Sequence, residues 1–191
     1  MNAVIALPAN AARLTLTLIA LVLELAHLGW SYFHGGVPAH HLLNRADLPA
    51  ISNWWGAVLI PALTWLLVGR IQLRFLRPDA SNPAKRHRLA PVVAGFLCAL
   101  AYGAALALTF TLESAAVTYL FLGLFAISLI VPTYRAEYVL GFVLGMSFTF
   151  GAILPTAVAA VVALFSGVVH FVFFRVKRLI QSRRASSIAP G

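Results

Sequence analysis

Apolar stretches long enough to cross a lipid bilayer follow one another along most of this chain of 191 residues. The residues are 61% hydrophobic and only 10% charged, a balance far from that of a soluble domain. A hydrocarbon core about 30 Å thick needs about 20 apolar residues per helix. Stretches such as 89–112 and 157–174 are apolar on every face rather than on alternate residues. They therefore predict membrane-spanning helices and not the strands of a transmembrane barrel.

The sequence predicts an all-α, polytopic transmembrane helical bundle with about six spans. The spans are expected at residues 12–33, 50–70, 89–112, 115–132, 137–153 and 156–175. Gly151 and Pro155 separate the last two, because glycine permits a turn and proline is tolerated at the start of a helix. We expect residues 1–184 to form a single six-helix transmembrane domain and residues 185–191 to form a disordered cytoplasmic tail.

The placement of positive charge predicts how the bundle is oriented. With the N-terminus inside, every Lys and Arg except Arg45 lies on the cytoplasmic side, and the topology is N-in, C-in. The net charge of +9 then reflects topology and attraction to anionic lipid, and we expect no nucleic-acid partner. Short connections and a single cysteine favour the inner membrane of a bacterium, with membrane lipids as the first partners.

Two charged residues flank the start of the predicted fifth span. We expect Arg135 and Glu137 to be anchors at the cytoplasmic boundary, where a carboxylate in the first helical turn is favoured by the helix dipole. The alternative is that this segment binds a phosphate or a lipid headgroup.

An ionisable stripe interrupts the first apolar stretch and is the main functional signal. Glu24 is followed by His27, Ser31 and His34 at i+3, i+7 and i+10, a spacing that keeps the side chains on one helical face. A carboxylate near the bilayer centre costs about 2.5–3.5 kcal/mol on insertion scales, and such residues usually face a bundle interior or a wet cavity. The stripe therefore predicts a site in the outer half of the bilayer.

Catalysis is the first interpretation of this site. A carboxyl and an imidazole one helical turn apart could exchange a proton, so Glu24 and His27, with Asp47 of the following connection, are the expected catalytic residues. Imidazole and carboxylate groups also suit zinc or iron, although the sequence decides neither the presence of a metal nor its identity. The expected metal ligands are His27, His34, His40 and His41.

Residues near the predicted outer boundary are expected to contact the substrate. They are Ser31, Asn53, Trp54 and Trp55. A site at this depth is reached sideways between helices, so the expected substrate is a lipid or a small apolar molecule. The first hypothesis is accordingly a membrane-embedded enzyme, with or without a metal.

Two further functions stay open. A small-solute carrier, or the substrate-binding membrane subunit of a transporter, would couple protonation of Glu24 to solute binding or release. The six-span layout resembles that of the small substrate-binding components of vitamin uptake systems. The third hypothesis is a non-catalytic membrane assembly partner, in which Glu24 and His27 satisfy one another. Gly141 and Gly145 predict a close helix contact, either within the chain or in a homo-oligomer or a complex with another membrane protein.

Overall fold

The computed structural model describes residues 9–37, 39–41, 50–76 and 89–188, and within them the fold is helical apart from one short two-stranded ladder. This confirms the predicted all-α class. A 3₁₀ turn, Asn53–Trp55, leads into the second helix. The elements are α1 Ala9–Phe33, β1 Ala39–His41, β2 Ala50–Ser52, α2 Gly56–Leu76, α3 Leu89–Thr111, α4 Ala116–Ile130, α5 Ala136–Phe150 and α6 Ile153–Ile188.

Within these residues, four helical segments are long and apolar enough to cross a membrane. They are Asn10–Phe33, Asn53–Phe75, Leu89–Thr111 and Ile153–Gln181. The chain therefore has the composition of a multi-pass membrane protein. The predicted six spans are not confirmed, because α4 and α5 have only 15 residues each, about 22 Å of helix. The N-in, C-in orientation and the bacterial inner membrane stay predictions.

Proline and glycine set the ends of the short helices. Val131 is extended at the end of α4, as the residue before a proline prefers to be, and Pro132 follows it. Gly151 ends α5 with a φ of +67°, a conformation that L side chains rarely adopt. The break between the last two helices is therefore where the sequence predicts it.

The last helix extends beyond the expected end of its span at residue 175. It continues to Ile188, so the backbone of residues 185–188 is helical, and residues 189–191 lie outside the described part of the chain. The guanidinium groups of Arg175 and Arg178 lie 5.0 and 4.4 Å from the ring centres of Phe171 and Phe174, one turn earlier. Both are cation–π contacts, and the two rings remain 58% and 52% exposed.

The tightest helix contact joins α3 to α5 through glycines. A Cβ atom added at Gly141 would collide with the Phe96 carbonyl oxygen, and one at Gly145 with the Leu100 carbonyl oxygen. Both glycines therefore lie directly on the backbone of α3. This confirms the predicted close contact and places it within the chain.

An ion pair joins α2 to α5 at the predicted cytoplasmic end of the bundle, where α1 begins and α4 ends. Arg74 donates through Nη1 to Glu137 Oε1 at 3.1 Å and through Nη2 to Glu137 Oε2 at 2.5 Å. The Glu137 side chain is only 3% exposed, against 33% for Arg74. Glu137 lies in the first turn of α5, as expected. The expectation that it is a snorkelling anchor is wrong, because its carboxylate is buried and paired with Arg74 of α2. Arg135 is exposed.

We predict that Gly145→Ala lowers the melting temperature of the protein in detergent. The added methyl group has no room against the α3 backbone, and overpacking of this kind costs about 1–3 kcal/mol. Gly167→Ala in α6 is the matched control, because a Cβ there meets nothing within 4 Å. Equal melting temperatures for the two variants would contradict the contact.

We predict that Glu137→Gln also destabilises the fold, because it leaves the Arg74 guanidinium without its charged partner. Breaking a buried ion pair costs about 3–5 kcal/mol, and the partial exposure of Arg74 puts this pair at or below the lower end. Chemical denaturation of the two proteins measures the difference. Glu113→Gln, at an exposed turn, is the control and should change nothing.

Candidate functional site

The Glu24 carboxylate is buried where α1 meets the start of α2. The residue is 7% exposed, and a Cβ atom added at Gly56 would collide with Glu24 Oε1. Only a glycine at the first position of α2 lets the carboxylate come this close. The N-terminal end of a helix carries partial positive charge, which favours a carboxylate at this position.

His27 lies one turn further along α1 and contacts α5. Its ring stacks on Phe148, with the ring centres 4.5 Å apart and the planes 23° from parallel. Among the described residues, no hydrogen bond joins the imidazole to the Glu24 carboxylate. Phe148 is itself 72% exposed, so this side of the site is open to the surroundings of the bundle.

Asn53 connects the start of α2 to the turn between α5 and α6. It is 7% exposed, and a Cβ atom added at Gly151 would collide with its Oδ1. Glu24, His27 and Asn53 therefore lie near the junction of α1, the start of α2 and the end of α5, each against a different neighbour. We call it the Glu24 corner and define it by Glu24, His27, Asn53, Gly56 and Phe148.

The remaining expected site residues lie around the rim. His34 is exposed, its ring stacks on Trp30 at 3.7 Å, and its Nδ1 lies 2.9 Å from the Trp30 carbonyl oxygen. The Ser31 carbonyl accepts the His34 backbone N–H at 3.2 Å. Trp54 and Trp55 are 50% and 60% exposed. The side chains of His34, Trp54 and Trp55 therefore do not join His27 around the Glu24 carboxylate.

The connection after α1 returns to the bundle through the β1–β2 ladder. The strands are antiparallel, with Ala39 opposite Ser52, His40 opposite Ile51 and His41 opposite Ala50. The ladder thus leads the chain directly into Asn53. The side chains of His40 and His41, and the whole of Asp47, lie outside the described part of the chain, so their expected roles stay predictions.

The expected metal site gains no support from the described residues. No three His, Cys, Asp or Glu side chains in that part of the chain come close enough together to hold a metal ion. The physical reason is visible at His27 and His34, since one ring packs against α5 and the other stacks on its own helix. Glu24 and His27 can offer a proton acceptor and a proton donor, and together they are too few for a metal centre.

The comparisons with known proteins add no relative. No protein-family model matches this chain, and neither a curated protein nor a solved structure matches it. The class of the protein therefore rests on its fold and composition, which are those of a multi-pass helical membrane protein.

Sequence reasoning missed the residues that build the walls of the corner. Gly56 is one glycine at a helix start and Phe148 is one apolar residue among many, whereas Gly151 was predicted only as the turn between the last two spans. Their importance comes from contacts with residues of other helices. A glycine directly at the start of a span is the one local signal that could have pointed to a close approach there.

We predict that Gly56→Ala is destabilising only while Glu24 is present. The new methyl group would displace the carboxylate, whereas in a Glu24→Ala background the better helix propensity of alanine is worth about 0.5–1 kcal/mol. A double-mutant cycle of melting temperatures measures this coupling. Gly29→Ala, where a Cβ meets nothing within 4 Å, should behave alike in both backgrounds. An additive cycle at Gly56 would show that the carboxylate lies elsewhere.

Proposed function

We propose that this protein is a membrane-embedded enzyme in which Glu24 and His27 supply acid–base chemistry to a lipid or a small apolar molecule. The observation that carries the proposal is the buried Glu24 carboxylate, held against Gly56 with an imidazole one turn away. In the described residues no Lys or Arg forms an ion pair with this carboxylate. A carboxyl group in such a place is available to take up or release a proton.

The position of α1 supports access from the bilayer. Its principal neighbour is α2, and side chains such as Leu23 and Leu25, at 65% and 46% exposure, face away from the bundle. The exposed Phe148 ring borders the other side of His27. An apolar molecule in the membrane could therefore reach the imidazole sideways, without first entering water.

The proposed division of roles follows from burial. Glu24 is enclosed and lies against the start of α2, which suits a group that exchanges a proton without leaving its place. His27 is half-buried beside the open side, which suits a group that touches the substrate. The amide of Asn53, buried against Gly151, is a further polar group of the corner.

A proton-coupled carrier is the second candidate. Within the described residues the Glu24 corner holds one carboxyl and one imidazole, and reversible protonation of one carboxyl is enough to couple a proton to solute movement. Hydrolysis or group transfer would need a further group that attacks the substrate or stabilises the charge of the transition state. The two functions therefore differ in whether the bound molecule is consumed.

We predict that Glu24→Gln abolishes turnover while the protein stays folded. Glutamine keeps the shape of the side chain and removes its acid–base function, which is worth about 10²–10⁴-fold in rate. The assay reconstitutes the protein in phosphatidylethanolamine and phosphatidylglycerol vesicles and follows the lipids, with a panel of added apolar compounds, by mass spectrometry. His27→Phe keeps an aromatic ring against Phe148 and should lose activity as well.

Glu113→Gln, at an exposed turn outside the corner, is the control for a change of charge alone and should keep full activity. Full activity in Glu24→Gln and His27→Phe would rule out the proposed site. If nothing is consumed but vesicles take up protons only with Glu24 intact, the carrier is the correct function.

A further inference from the structure

A cavity of about 500 Å³ lies between α3, α4, α5 and α6. This volume falls within the range of about 300–1,000 Å³ that proteins use to bind small molecules. The walls are almost entirely apolar. They include Ala94, Cys98, Leu124, Ile127, Phe142 and Val162. No residue of the Glu24 corner lines this cavity, so it is a separate site.

Three helix contacts define its shape. α3 lies against the backbone of α5 at Gly141, and the Ser166 hydroxyl of α6 donates to the Ser128 carbonyl of α4 at 3.0 Å. α3 and α4 meet where the Tyr102 hydroxyl donates to the Leu120 carbonyl at 2.6 Å. The α3 residues that line the cavity run from Pro91 to Tyr102, and the α4 residues that line it come after Leu120. The cavity therefore lies between that contact and the predicted cytoplasmic end.

The cavity opens between α3 and α4. Cys98 and Ile127, which line it from these two helices, are exposed, the latter at 39%. Leu124, Phe142 and Val162 form its inner wall and are 7%, 5% and 4% exposed. α3 is long and apolar enough to cross a membrane, and in a bilayer the exposed side of its middle would face lipid hydrocarbon. The mouth of the cavity therefore opens into the bilayer and not into water.

Polar groups occur at the cytoplasmic end of the cavity. Thr133 lines it there, and the Thr133 Oγ1 atom is buried with no hydrogen-bond partner in the described part of the chain. Tyr138 lines the same end, and the exposed Arg135 lies between these two residues in the chain. A ligand with one long apolar part and a polar or anionic end would match this distribution.

We propose that this cavity binds one acyl chain of a membrane phospholipid, which enters sideways between α3 and α4 with its headgroup beside Thr133 and Arg135. The bilayer mouth, the apolar walls and the polar end each fit this occupant. A water-soluble molecule would have to cross hydrocarbon to reach the same opening. The proposal does not depend on the acid–base function of Glu24.

The test fills the cavity from α3 and compares a neighbouring substitution that does not. Cys98→Phe puts a ring into the space, whereas Leu97→Phe adds a ring at a residue that is 54% exposed and does not line the cavity. Both proteins are delipidated in detergent and titrated with phosphatidylglycerol, and native mass spectrometry counts the lipids retained. We expect the wild-type and Leu97→Phe proteins each to retain one lipid. The Cys98→Phe protein should bind that lipid with at least tenfold weaker affinity.

A second measurement locates the lipid in the wild-type protein, so the test stands even if Cys98→Phe does not fold. Phosphatidylglycerol with a photoreactive group at the end of its acyl chain is cross-linked in vesicles. Cross-links concentrated around Cys98, Tyr102 and Leu124, away from the Thr133 end, would support the proposal. The proposal would be overturned by uniform labelling of all exposed helix faces, or by equal lipid retention in a folded Cys98→Phe protein. Retention of a single-chain detergent in place of phospholipid would also overturn it.

The two proposals fail separately. Glu24→Gln should lose turnover and keep the retained lipid, because the cavity does not include Glu24. A loss of the lipid in Glu24→Gln, with a folded protein, would overturn the separate acyl-chain site.

Discussion

The contact between α3 and α5 is the interaction on which the other helix positions depend. Apolar helices in lipid gain little from burying one another, so association relies on close packing of backbones and small residues. Gly141 and Gly145 provide that packing, and they bring Val143 and Met146 into the buried core. α5 is short, but it then contacts α2 and α6 as well, so most of the bundle is arranged around it.

The central place of α5 explains why the two candidate sites are distinct. Phe148, near its end, stacks on His27 of the Glu24 corner, whereas Phe142 lines the apolar cavity. The two rings are six residues apart, about 9 Å along the helix. One site opens beside α1 and the other between α3 and α4. α5 thus forms a wall of both sites, and each site has its own opening.

Local patterns predicted most of the fold, and long-range contacts decided the rest. Apolar length located the helices, and Gly151 and Pro132 end two of them as their backbone preferences require. Strands of three residues have no periodicity to detect, so β1 and β2 had no signal in the sequence. Glu137 was expected to be an anchor at the cytoplasmic boundary, in a first helical turn where the helix dipole favours a carboxylate. Its burial depends on Arg74, 63 residues away.

The Glu24 corner shows why a polar helix face is not yet a site. The stripe put Glu24, His27 and His34 on one face, but the start of α2 covers only the first, α5 reaches the second, and the third stacks on its own helix. Which of these side chains is contacted depends on how far the neighbouring helices extend along α1. No sequence pattern within α1 encodes this. Burying a carboxylate in the bilayer costs about 2.5–3.5 kcal/mol. The partial positive charge at the start of α2 favours the carboxylate, but in the described residues no Lys or Arg forms an ion pair with it. The proposed role in proton chemistry would explain why a carboxylate, and not an apolar side chain, occupies this place.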